Sequence, residues 1–129
     1  MQFYVFFMII FSMIFTQHVK NLEQFKAPKE FDNIHVIPIE SDQHVSSYII
    51  FVKKSIKAHK HIKHTESILV LEGTGKMKID NNVYEIKHGD YLTIPQGAIH
   101  SVIVTSKVPL KVLSLQTPQF FGKDRIFVE

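Results

Sequence analysis

His59 and His61 are separated by a single residue, Glu66 follows five residues later, and His100 heads an apolar run much further along the chain. Imidazole nitrogen and carboxylate oxygen are the donors that borderline divalent metals take in proteins. On an extended strand, residues two apart face the same side at a spacing of about 6.6 Å, so His59 and His61 can converge on one ion. Glu66 is in phase with Ile68 and Val70, and His100 with Val102 and Val104, so alternating strands would aim both donors inward. This set suits Fe(II), Mn(II), Ni(II), Co(II) or Zn(II), and the pattern does not choose among them. The competing reading is surface decoration, because a His-x-His pair beside Lys60 and Lys63 is more often a solvated loop. His64 is expected to be an exposed loop side chain, with a contact to the ligands or to a substrate as the alternative. His18, His35, His44 and His88 read as surface residues.

Positioning such donors requires strands, and strands are what the pattern predicts. The runs 34–39 (IHVIPI), 46–52 (SSYIIFV), 67–71 (SILVL), 76–79 (KMKI) and 83–86 (VYEI) are rich in β-branched and aromatic residues with period two. So are 91–94 (YLTI), 100–105 (HSVIVT) and 110–115 (LKVLSL). Turn formers separate them, notably Gly73-Thr74-Gly75, Asp80-Asn81-Asn82, His88-Gly89-Asp90 and Pro95-Gln96-Gly97. Short strands with a turn after each predict an all-β sandwich or barrel. Residues 17–32 are polar and are expected to hold one short helix near Val19 to Phe25, ended by Pro28.

The bulk numbers bound the alternatives. A chain of 129 residues fits one domain, and the absence of cysteine removes disulfides, thiolate metal sites and a cysteine nucleophile together. The net charge is only +3 and the lysines are dispersed, which argues against nucleic acid as a partner. Residues 1–16 carry no charged side chain and are apolar almost throughout, a run shorter than a membrane-spanning helix needs. They read as a signal peptide cut after Thr16, which leaves residues 17–129 as the domain, exported to the periplasm or medium with no stable membrane insertion. An uncleaved membrane anchor is the alternative reading of the same run.

The spacings extend the argument beyond the four donors. His59, His61, Glu66 and Gly73 match the first motif of the cupins, G-x5-H-x-H-x3–4-E-x6-G, and Gly89, Pro95, Gly97 and His100 match the second, G-x5-P-x-G-x2-H-x3-N. Lys53 stands where the leading glycine would be and Val104 where the final asparagine would be; neither position is a ligand. The chain therefore resembles the small single-domain cupins over the motif core 53–104. The resemblance implies a double-stranded β-helix, a jelly-roll-like cupin barrel, with one divalent transition metal held by His59, His61, Glu66 and His100. Cupins of this size include dioxygenases, isomerases, decarboxylases, lyases and non-catalytic binders. The resemblance thus implies either a metal-dependent enzyme on a small oxygenated organic molecule or a small-molecule binding or sensing protein. Ile68, Val70, Val102 and Val104 are expected to line the pocket. The segment FFGKDRIFVE (120–129) reads equally as a cap over the barrel, as part of a homodimer contact, or as a surface tail.

Overall fold

The computed structural model describes residues 18–129. Ten strands run in order: β1 (Ile34–Ser41), β2 (Ser46–Val52), β3 (Ser55–Lys60), β4 (Thr65–Glu72), β5 (Gly75–Ile79), β6 (Asn82–Ile86), β7 (Tyr91–Ile94), β8 (His100–Val104), β9 (Leu110–Thr117) and β10 (Ile126–Phe127). They form two five-stranded antiparallel sheets, ordered β1-β2-β9-β4-β7 and β10-β3-β8-β5-β6. The apolar inner faces of the two sheets meet, which is the double-stranded β-helix expected from the alternation of the sequence.

Alternation decides which side chains reach the interior. Along β4, Glu66, Ile68 and Val70 are buried while their neighbours are not. Along β9, Leu110, Val112, Ser114 and Gln116 line the cavity between the sheets, and Lys111 points the other way. The shared core is built from Val52, Ile68, Val70, Met77, Ile86, Ile94, Val102, Leu110 and Val112. Fully burying each such side chain stabilises the fold by roughly 1.5–3 kcal/mol before entropy is counted.

The outer face of β2 and β9 is buried as well. Ile49 and Phe51 are almost fully enclosed there. The chain before β1 crosses this face: Lys111 Nζ donates to the Leu22 carbonyl at 2.7 Å, and His35 is flanked by the rings of Phe31 and Phe51. His35 is therefore half-buried rather than a surface residue, whereas His18, His44 and His88 are exposed. The helix expected near Val19 to Phe25 is a single 3-10 turn, Leu22–Gln24, capped by the Asn21 side chain. It buries no residue, and a short exposed segment has nothing to offset the cost of helix nucleation.

Residues 1–16, read as a signal peptide, lie outside the described residues. Among the described residues no helix is long and apolar enough to cross a membrane.

Candidate metal centre

Two turns place the four donors. The β3 strand ends at Lys60, with His59 buried inside it and His61 just beyond. Gly97, at φ +80°, turns the backbone after Pro95, and its N–H donates to the His61 carbonyl at 2.7 Å. That one bond ties the first histidine pair to the loop that launches β8. Ile99 N–H then donates to Asp80 Oδ1, and His100 enters β8 opposite His59.

His59, His61, Glu66 and His100 converge: one donor atom from each lies within 4.8 Å of all the others, and all four residues are buried. The Oε2 atom of Glu66 sits 3.4 Å from His61 Nε2 and 3.2 Å from His100 Nε2. These approaches are not aligned as hydrogen bonds, for both Nε2 atoms are buried without a hydrogen-bond partner. Each imidazole is instead anchored by its other nitrogen. His59 Nδ1 donates to the Lys57 carbonyl at 2.8 Å, His100 Nδ1 to the Ala98 carbonyl at 3.0 Å, and His61 Nδ1 to the Asp124 carbonyl. A carbonyl only accepts, so each Nδ1 carries the proton and, in the neutral ring, each Nε2 keeps its lone pair. Metal-binding histidines are oriented in this way.

The electrostatics agree. Burial opposes the charge on Glu66, but His100, His61 and the Ser114 hydroxyl, which donates to Oε1 at 2.5 Å, outweigh it and hold the carboxyl below the usual range. Burial likewise opposes charge on His61, yet Glu66 and the Asp124 carbonyl raise it. His59 is pushed down to about 4, mainly by burial. An ionised carboxylate and lone pairs aimed at one point favour positive charge there, which is the requirement for a divalent cation.

His64 departs from expectation. It is buried, with Nδ1 2.6 Å from Asp124 Oδ2 and Nε2 2.9 Å from the Gln119 carbonyl, so both ring nitrogens act as donors. Asp124 also accepts from the N–H groups of Ile62 and Lys63 at 2.9 and 2.7 Å. Burial would raise the Asp124 carboxyl, but His64 and these two amides outweigh it and hold it at about 2. The segment 117–129 is thus a cap. β10 pairs with β3, and the Phe120 ring stands edge-on to His61 and His64.

The cavity beside the donors has a volume of about 500 Å³ and mostly apolar walls. Ile68 and Val102 line it as expected, while Val70 and Val104 pack into or against the core instead. Ile50, Val52, Leu110 and Val112 complete much of the aliphatic wall. Ser114 and Gln116 were not singled out from sequence, although both are in phase with Leu110 and Val112, polar side chains on an inward-facing stripe.

Residues 48–116 match the family model of the cupin domain. The chain is a cupin. A relative from Aquifex aeolicus, itself uncharacterized, is 31% identical over 95% of this chain and 99% of its own length. The crystal structure of a double-stranded β-helix protein from Klebsiella pneumoniae superposes with a TM-score of 0.74 at 15% identity, over 88% of this cupin and 98% of that chain. A Streptomyces protein, PAC13, solved with uridine, superposes with a TM-score of 0.70 at 13% identity, covering 88% and 92%. At such identities the two structures speak for the fold alone.

Proposed function

We propose that this cupin is a metal-dependent enzyme acting on a small oxygenated organic molecule held in the cavity beside His59, His61, Glu66 and His100. The observation that carries the reading is the tautomer set. Three imidazoles donate from Nδ1 to backbone carbonyls, and those of His61 and His100 turn Nε2 toward the Glu66 carboxylate. These four residues would hold one divalent metal, which when bound supplies Lewis acidity toward a carbonyl or hydroxyl oxygen, or a centre for dioxygen chemistry. The rest belongs to the chain. Ser114 fixes the Glu66 carboxylate, the Asp124 carbonyl fixes the His61 ring, and the aliphatic walls keep water from a bound molecule.

One observation favours a second reading, a non-catalytic binding or sensing protein. Among the described residues lining the cavity, no carboxylate or imidazole stands outside the donor cluster to serve as a general acid or base.

The test begins with elemental analysis of protein purified without a histidine tag. Close to one equivalent of metal, lost in His59→Ala, is expected; a largely metal-free protein would overturn the proposal. A substrate screen on the loaded protein then separates the two readings. Turnover abolished by His59→Ala supports an enzyme, whereas a tight complex recovered chemically unchanged supports a binder.

A further inference from the structure

The cap is one chain layer thick, so side chains that do not reach the barrel must face away from it. Phe120 takes the inward place and is buried, while its neighbour Phe121 turns outward and is 74% exposed. β10 repeats the division: Phe127 keeps one side of its ring near His59 yet is 61% exposed, and Ile126, paired with Lys60, is 43% exposed. The Asp124 carboxylate accepts from the N–H groups of Ile62 and Lys63 and so seats the connection between β3 and β4 against the cap, where Ile62 is 49% exposed. Four large apolar side chains thus stand in solvent on two segments that are bonded to each other. Scattered exposed apolar residues are ordinary, but a set gathered on one face marks a surface that meets something.

The charges on this face carry one sign. Lys60, Lys63, Lys123 and Arg125 are interleaved with the apolar residues along the two segments, and none has a carboxylate within ion-pair distance among the described residues. The connection, residues 61–64, has no carboxylate of its own, and the cap spends Asp124 internally on His64 and two amides, which leaves Glu129 alone to oppose the cations. A second copy of the chain fits badly, because a twofold contact lays the same patch against itself and brings these cations face to face. Nucleic acid would answer the charge but not Ile62 and Ile126, which offer no ring on which a base can stack. A bilayer with anionic headgroups answers both: apolar side chains enter the boundary between headgroups and acyl chains, and Lys and Arg stay at the phosphates.

We infer that the cap and the β3–β4 connection form a docking surface for an anionic lipid bilayer: Phe121, Phe127, Ile62 and Ile126 enter the headgroup boundary while Lys60, Lys63, Lys123 and Arg125 meet the lipid phosphates. By this face the protein lies on the bilayer and does not span it. The contact is reversible, because a few partly buried side chains and cations hold far less strongly than a membrane-crossing helix. It is independent of the metal centre and of any reaction performed there.

The full-length protein is sedimented with vesicles of phosphatidylcholine mixed with phosphatidylglycerol, and with vesicles of phosphatidylcholine alone. The mixed vesicles are expected to bind it more tightly by about tenfold or more, an advantage that fades as salt rises. Phe121→Ser, and Lys63→Glu combined with Lys123→Glu, should each lower binding to mixed vesicles about tenfold. Lys76→Glu combined with Lys78→Glu makes the same change of net charge on β5 and should keep binding within about threefold at physiological salt. All five side chains are exposed, and thermal melts confirm that the variants fold. Residues 1–16, where retained, are common to every variant, so the differences report the cap. The chain has no tryptophan, so Phe121→Trp supplies a sole reporter whose emission should shift to the blue on mixed vesicles. Equal effects of the two lysine pairs, equal binding to both kinds of vesicle, or a reporter that stays solvated would overturn the inference. So would a dimer that Phe121→Ser dissociates, or single-stranded DNA bound more tightly than the mixed vesicles.

Discussion

Ser114 shows how much a single hydroxyl can carry. It is fully enclosed and spends its proton on Glu66 Oε1, leaving Oε2 to face the imidazoles. Ser114→Ala should lower metal affinity by about 10- to 100-fold with the barrel intact, read by competition with a coloured chelator. Unchanged affinity would mean that Glu66 needs no such support. His59 supplies a pH prediction for chelator-treated protein. Its folded value is depressed from 6.5 to about 4, so the folded state disfavours the charged ring. Stability is therefore unaffected above pH 6.5 and falls by up to roughly 3 kcal/mol as pH drops toward 4. His61 is shifted the other way, and its contribution is full below 6.5 and fades as pH rises through its raised value. Urea denaturation from pH 7.5 to 4 should show the loss, and His59→Gln should flatten it. At this scale the buried cluster of His59, His61, Glu66 and His100 was legible because spacing and alternation are local properties. His64 was not: its partner Asp124 lies sixty residues away, and no local pattern reports a bond of that reach.

Glycines at the turns differ in what they guard. Gly97 has φ +80° with nothing within 4 Å of an added Cβ, so Gly97→Ala should cost only backbone strain, about 1–2 kcal/mol. Gly73 shares that φ, but its Cβ would sit 2.8 Å from the Pro109 carbonyl oxygen, so Gly73→Ala should cost clearly more. Thermal melts of the two variants, side by side, check the order. The cap from Thr117 onward supplies a third case. Asp124→Ala removes the acceptor of Ile62, Lys63 and His64 and loosens the carbonyl that orients His61. It should weaken metal binding about tenfold or more, with Asp124→Asn intermediate. Period two made most of the longer strands readable to within about two residues, but not β3, where Lys57 and Lys60 dilute the apolar alternation. The short β10 was not readable, because two residues carry no period and it exists only by pairing with β3. For the same reason the tail reads from sequence alone as a cap, a homodimer contact or a loose end, since what holds it are long-range bonds.

Across the whole molecule, the donors come from both sheets: Glu66 from β4 in one, His59 and His100 from β3 and β8 in the other, with His61 in the connection. A bound ion would fasten the sheets to each other. Metal at a hundredfold excess over its dissociation constant should add about 2.7 kcal/mol of stability, visible as a rise in melting temperature that a chelator reverses. Amide exchange in β4 and β8 should slow together, although these strands are not paired. Exchange slowed in one sheet alone would place the ion elsewhere. Residues 1–16 enter at this scale too: we propose that they direct export, and mass spectrometry of secreted protein should find Gln17 at its N-terminus.

The bond from His61 to the Asp124 carbonyl also has a consequence in time. Synthesis runs from the first residue to the last, so the histidines emerge long before the group that aims one of them. A nascent chain paused anywhere short of Asp124 has the histidines but lacks the orientation of His61, and its hold on a cation would be correspondingly loose. Under the proposed function, selective loading would follow synthesis of that aspartate, in whichever compartment the chain then occupied, and the cation pool of that compartment would decide which ion is taken.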